Sequence, residues 1–324
     1  MVGLKRGFLQ LLGAVALALC IVSAWGQIYP AKPVRMVVGF PAGGGVDLVA
    51  RAVAQRLSDQ WGHPVIVDNR TGANGTIATD FVAKSPPDGH TVLMAFSSHT
   101  INAALYEKLP FETMRDFSPV TLIATVPNIL VLHPSLPVRN VKDLIALASA
   151  RPGQINYASA GSGSPAHMSA ELFKQLAGIN MTHVAYKGGP PSLVSVISGE
   201  TSLTFTTILL ALPHVRSGRM RAVAVTGLKP SPVLRDVPPV ADSIPGYESF
   251  AWYGILVPAG TPRVVSEKLH GDTVRVARSA DMQELLQQQG AESLAGSSAQ
   301  FAALIADEIG RWRKLVVATG MKAD

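Results

Sequence analysis

The sequence predicts an α/β protein of two domains, and three observations carry that prediction. Apolar, strand-like runs alternate with helix-period segments along most of the chain, the signature of parallel strands flanked by helices. Two long extended segments, 119–138 and 248–260, break the rhythm and read as crossings between domains. A chain of 324 residues is also long enough to bury two cores. The expected division is 27–125 plus 248–324 for one lobe and 126–247 for the other, so the first lobe is built from both chain ends.

The elements follow in order. "VRMVVGF" (34–40) is almost continuously apolar, as in a strand covered on both faces. Leu48, Val49, Ala52, Val53 and Leu57 then recur at helical spacing. "PVIVDN" (64–69) reads as a strand, "NGTIATDFVAKS" (74–85) as a helix, and "PPDGH" as the turn into the strand "TVLMAF" (91–96). After the first crossing, Asn140 with Asp143 three residues on marks a helix start, with Leu144, Ile145, Leu147 and Ala148 on one face. "INYAS", a helix over 165–177, "THVAYK" and a helix after Pro190 and Pro191 repeat the α/β pattern, and "SLTFTT" and "RAVAVTG" add strands. Beyond the second crossing, Thr261 is expected as a cap with Pro262 at the first helical position. Ser297 with Gln300 forms a capping box before Phe301, Leu304, Ile305, Ile309, Trp312 and Leu315 on one helix face.

The first residues carry a different signal. Lys5 and Arg6 precede an uncharged apolar run from Phe8 to Val22, and Ala24-Trp25-Gly26 supplies small residues for a peptidase. Residues 1–26 are therefore expected to be a cleaved secretory signal, with the mature chain starting near Gln27. Cys20 is the only cysteine, and Leu19 stands before it where a lipid-anchor site needs a small residue, so a lipid anchor is not expected. A mature chain without cysteine has no disulfides, thiol catalysis or thiolate metal sites. Loss of Lys5 and Arg6 lowers the formal charge from +6 to +4. The basic residues are scattered and no nucleic-acid motif accompanies them.

Two glycine-rich runs stand between a strand and a helix: Phe40-Pro41-Ala42-Gly43-Gly44, followed by Asp47, and Ser159-Ala160-Gly161-Ser162-Gly163-Ser164, followed by His167. A helix start exposes backbone N–H groups and the positive end of the macrodipole, and small residues let an anion approach them. Such loops suit a phosphate or a carboxylate. The second run fits a relaxed dinucleotide pattern, but Tyr186-Lys187 stand where the ribose-binding acid belongs. Neither run ends in the Gly-Lys-Ser/Thr of a phosphate loop, and no serine has the G-x-S-x-G setting of a nucleophile elbow. The eight histidines include no metal-binding pair, so no metal and no cofactor is expected. Asp47 alone reads as a helix-start acid satisfying free N–H groups. Anion-suited loops without catalytic groups indicate a binding protein. An exported hydrolase or dehydrogenase is the alternative.

"YPAKPVRMVVGFPAGGGVDLVAR", "VDNRTGANGTIATDFVAKSPPDGHTVLM", "YASAGSGSPAHMSAELFKQLAG", "HVAYKGGPPSLVSVISGE", "MRAVAVTG" and "WYGILVPAGTP" occur in the order that resembles the substrate-binding proteins of the tripartite tricarboxylate transporter family, the Bug receptors. Thr71 and Asn74 depart from that pattern, standing where Pro and Gly are usual. The resemblance implies a two-lobed periplasmic-binding-protein type II fold, a flytrap that closes on a small carboxylate. It implies a periplasmic monomer that serves a membrane transporter, or alternatively a ligand-sensing module for a sensor kinase. It places ligand contacts on the first loop (Phe40–Asp47) and the second (Ser159–Ser164), with Ser97, Ser98 and His99 as a third wall and Thr206 and Thr207 as a fourth. Tyr186 is added as a residue reaching the cleft, and hinges are expected near Ala124–Pro127 and Phe250–Tyr253. Gly161–Ser164 and Ala42–Gly44 are expected to present N–H groups to the ligand from opposite lobes.

Overall fold

The computed structural model describes residues 29–322. The leader expected over residues 1–26, with Cys20, lies outside them. Apolar runs bounded by turn residues become β1 (Val34–Val38), β2 (Val65–Asn69) and β3 (Thr91–Phe96), all parallel, with β1 in the middle. Helices α1 (Gly45–Trp61), α2 (Thr76–Ala83) and α3 (Ser98–Leu105) follow these strands in turn. β4 (Phe117–Leu132) then runs from one lobe into the other. The second lobe holds α4 (Val141–Ala150), β5 (Asn156–Ser159), α5 (Pro165–Ala177), β6 (Thr182–Ala185), α6 (Gly189–Ile197), β7 (Leu203–Thr207), α7 (Ile208–Arg216) and β8 (Arg221–Val225). β9 (Phe250–Pro258) returns the chain to the first lobe, which is completed by α8 (Arg263–Ala277), α9 (Ala280–Gln288), β10 (Glu292–Ser293) and α10 (Ser298–Thr319).

The strand order β2-β1-β3-β9-β4-β7-β5-β6 makes one hydrogen-bonded path through both lobes. The first half of β4 pairs antiparallel with β9, from Phe117 opposite Pro258 to Pro127 opposite Phe250. Its second half pairs with β7 and β8. Apolar side chains cover both faces of each half. In the first lobe α1, α8 and α9 close one face around Met36, Val53 and Ile255, and Trp252, Leu256 and Phe301 fill the other. In the second lobe Leu144, Tyr157 and Phe173 form one core, and Leu193, Ile208 and Val225 the other. Ile101 of α3, Met168 of α5, and Trp312 and Leu315 of α10 make an apolar seam between the lobes.

Several local expectations are corrected. The helix expected from residue 74 starts at Thr76, because a 3₁₀ turn (Ala73–Gly75) precedes it and Gly72 to Gly75 all have positive φ. Ser97 to His99 are not a loop: Ser98 and His99 open α3. Pro262 rather than Thr261 occupies the N-cap of α8, and the Thr261 hydroxyl instead donates to the Pro258 carbonyl (2.7 Å).

Candidate functional site

Asp47 builds the first loop. It sits at the third position of α1, almost wholly buried, and accepts the Gly43 N–H (2.9 Å), the Arg51 Nε (2.9 Å) and the Asn69 Nδ2 (2.9 Å). Burial alone would raise its pKa, but these donors, Arg51 first, hold the carboxyl below its usual range. Asn69 Nδ2 also donates to the Phe40 carbonyl (3.0 Å), so both ends of the loop hang on one carboxylate–amide pair. Gly43 meets the geometry with φ of 80°, which glycine adopts freely. The Gly43 and Gly44 N–H groups, expected to face a ligand, are already taken: Gly44 donates to the Pro41 carbonyl (3.3 Å). The start of α1 itself has no side-chain cap, with Gly45 partly exposed and Val46 buried.

The second loop is corrected in the same sense. Gly161 N–H donates to Ser159 Oγ (3.1 Å), Gly163 N–H to His167 Nδ1 (3.1 Å) and Ser164 N–H to the Gly161 carbonyl (3.1 Å). Ser164 Oγ caps α5 by accepting the His167 N–H (3.3 Å), with Pro165 at the first helical position. Behind the loop, His167 and His183 stack with centroids 3.9 Å apart, and Ser159 Oγ lies 2.6 Å from His183 Nε2. Tyr157 stacks on His183 (4.9 Å) and its hydroxyl donates to Glu171, which Lys174 also binds (2.6 Å). Burial first, then His183 and Lys174, push His167 down to about 3, so it is a neutral acceptor at physiological pH. His167 therefore shapes the loop from behind instead of facing the cleft. Ala160, Gly161 and Ser162 are the partly exposed residues of this loop.

The remaining expected residues divide. Phe40 packs edge-on against Phe96 (5.4 Å), which stacks on Tyr253 (5.4 Å), and a β-carbon at Gly75 would stand 3.5 Å from Phe40 and 3.7 Å from Ser98 Oγ. Ser98 therefore joins the first loop. Ser97 is buried and its hydroxyl has no hydrogen-bond partner. His99 is not a cleft residue: its ring lies parallel to Phe111 (6.2 Å) and edge-on to Phe117 (5.2 Å) inside the core. Thr206 and Thr207 end β7 opposite Ile129 and Asn128, and Thr207 precedes α7 without capping it. Tyr186 flanks Gly161 through its backbone, and its ring packs on the second-lobe core beside α6 and α7.

Sequence reasoning missed residues that tie these walls together. A β-carbon at Gly45 would stand 3.0 Å from the Tyr253 hydroxyl and 3.9 Å from Gln289 Oε1, and Ile208 packs against Gly290. The Gln289 side chain thus reaches toward Gly45 at the start of α1, and the Ile208 side chain at the start of α7, from the opposite lobe, reaches Gly290 beside it. Asn74 Nδ2 donates to Asn102 Oδ1 (2.9 Å) and across the lobes to the Gly163 carbonyl (2.8 Å). The sequence signals for Asn74 are its place between glycines in a turn and its departure from the glycine usual there, neither of which points to a contact with Gly163. Among the described residues no group of His, Cys, Asp and Glu is placed to hold a metal, and no helix is long and apolar enough to cross a membrane.

Comparison with known proteins agrees with this architecture over nearly the whole chain. BugT of Bordetella pertussis is 35% identical over 297 residues, covering 91% of this chain and 91% of BugT. A structure of an R. palustris protein with adipate has a TM-score of 0.85 at 36% identity, over 92% of this chain and 100% of that one. MatC from Rhodopseudomonas palustris, with bound malate, has a TM-score of 0.81 at 30% identity, over 89% and 100%. Both structures hold a small carboxylic acid, and the receptor family whose model matches this chain is one of binding proteins, not enzymes. The model of the tripartite tricarboxylate transporter family receptor matches residues 49–321, from the first helix to the end of the last, and the chain belongs to that receptor family.

Proposed function

We propose that this receptor is exported to the periplasm, captures a small carboxylate between its lobes and delivers it to a membrane transporter of the tripartite tricarboxylate type. The observation that carries the reading is the pair of helix starts from opposite lobes, α1 at Gly45, toward which the Gln289 side chain reaches, and α7 at Ile208, whose side chain reaches Gly290, with no side-chain cap on either. Each offers the positive end of a helix dipole and N–H groups that lack partners inside the helix. The two carboxylates of a small diacid would be met one from each lobe. Gly45 and Val46 of the first loop, Ala160 and Ser162 of the second, Ser98, Thr206 and Thr207 are the proposed contacts, with Phe40 as an apolar wall. The adipate and malate bound to relatives support this ligand class. The division into lobes 27–125 plus 248–324 and 126–247, with hinges near Ala124–Pro127 and Phe250–Tyr253, is part of the proposal. The separate core clusters support it.

The test is a thermal-shift screen of the protein beginning at Gln27 against adipate, malate, other di- and tricarboxylates, acidic amino acids and aromatic acids. A ligand at a hundred times its dissociation constant adds about 2.7 kcal/mol of stability. The reading fails if no acid in the panel raises the melting temperature.

A further inference from the structure

We infer that Asn74 is a positioning residue for ligand capture: its amide latches the second loop onto the first lobe and biases the receptor toward closed lobes before a ligand arrives. The inference rests on the receptor reading above and adds a determinant of its affinity. It starts from backbone geometry. Gly72, Ala73, Asn74 and Gly75 have φ of 127°, 45°, 51° and 89°, an unbroken left-handed stretch in which two residues are not glycine. Asparagine tolerates this region better than most side chains. The stretch aims the Asn74 side chain at Gly163, and both protons of its Nδ2 are used, one on Asn102 Oδ1 (2.9 Å) and one on the Gly163 carbonyl (2.8 Å). Buried Asn102 returns the bond by donating Nδ2 to the Asn74 carbonyl (3.0 Å), which fixes the amide's orientation.

The Gly163 residue is gripped from both lobes. Its N–H donates to His167 Nδ1 within its own lobe, and its carbonyl accepts from Asn74 of the other. The approach is close because Gly163 has no side chain: a β-carbon there would stand 2.6 Å from Leu105 Cδ2 and 3.4 Å from Asn74 Nδ2. Another polar contact between the lobes, Ser169 Oγ to Ser249 Oγ (2.8 Å), lies at the crossing strands, and Asn128 Nδ2 to Ser169 Oγ (3.1 Å) backs those strands from within the second lobe. A hinge motion leaves those nearly in place. Asn74 follows β2, the edge strand three positions from β9 in the sheet, so its bond to Gly163 has to break when the lobes part. A bond made only in the closed state raises the fraction of protein already competent to bind, and the apparent affinity rises with that fraction.

Asn74→Gly removes the amide and keeps a residue suited to this backbone. Asn74→Asp keeps size and conformation but sets a carboxylate against two oxygens that need a donor. The measurement is the distance between spin labels on Glu267→Cys in the first lobe and Lys142→Cys in the second, in protein beginning at Gln27, which has no other cysteine. Without ligand, the parent should show a dominant short distance, and Asn74→Gly should transfer population to a longer one with its melting transition still cooperative. Asn74→Asp should do the same more strongly. The affinity of Asn74→Gly for succinate or glutarate, used as probes, should fall about 3- to 10-fold, the worth of one hydrogen bond. Unchanged ligand-free distances in Asn74→Gly would overturn the latch, even if Asn74→Asp fails to fold. If Asn74→Gly opens the lobes while neither probe closes any variant, the latch stands and the diacid reading is what fails.

Discussion

His99 shows how a residue of apparent binding chemistry becomes part of a core. Its ring is buried between Phe111 and Phe117, and burial, against the opposing pull of the Thr113 backbone, pushes its pKa down to about 4. A free histidine titrates near 6.5. Between these values the unfolded chain binds a proton at this position that the folded chain refuses, so stability falls as pH drops from about 6.5 toward about 4, by up to about 1.4 kcal/mol per pH unit. His99→Phe should flatten that part of a plot of urea midpoint against pH, and an unchanged slope would contradict the account. Sequence reasoning saw the chemistry of His99 but not its direction, because "FSSHT" after a strand reads as a loop and α3 is too short to announce itself by periodicity. Asp47 was the reverse case. Its bland reading as a helix-start acid is what the structure holds, while its hold on Gly43 depends on Asn69, a residue 22 positions away.

At the scale of elements, α10 shows what a legible helix still leaves out. Ser297 and Gln300 form the capping box their spacing announces, and Phe301, Ile305, Trp312 and Leu315 are buried along one face. The same helix buries Glu308, which accepts from Thr100 Oγ1 of α3 (2.7 Å), from Trp252 Nε1 of β9 (2.7 Å) and from Arg311 (3.2 Å). Burial pushes its pKa up against those donors. This carboxyl docks the helix onto two other elements, and no pattern within α10 could show that. Glu308→Ala would strand the buried Trp252 Nε1 donor and remove the ionic partner of Arg311, while Thr100 keeps the Ser97 carbonyl (2.8 Å), at a cost of about 1–3 kcal/mol. A urea titration should show a clearly lowered midpoint, and a near-normal one would mean that the contacts are not formed in solution. The alternation of strands and helices was readable where apolar runs are long. α9 and β10 were not singled out, since nine residues and two residues carry little periodicity.

For the whole molecule, both crossings were visible as extended segments too long for ordinary loops, but their pairing with each other was not, because register is a long-range property. Where they meet, Asn128 N–H donates to Thr226 Oγ1 (2.7 Å), Thr226 N–H to the Asn128 carbonyl (2.9 Å) and Ser249 N–H to the Thr226 carbonyl (3.0 Å), with Asn128, Thr226 and Ser249 all buried. Thr226→Val keeps the shape and leaves a buried N–H without an acceptor, at about 1–3 kcal/mol. Its urea midpoint should drop accordingly, and faster hydrogen exchange at Asn128 would locate the loss at the crossing. β4 gives this junction a mechanical character. Its 16 residues are hydrogen-bonded to β9 in one lobe and to β7 and β8 in the other, with no slack segment between. Parting the lobes therefore means twisting a continuous ribbon, whose elastic resistance grows with angle, instead of releasing a tether whose reach is set by its length. With the proposed hinge at this junction, the stiffness of that ribbon, whose register shifts between Pro119 and Thr121 and between Leu122 and Ala124, is expected to set how widely the receptor gapes.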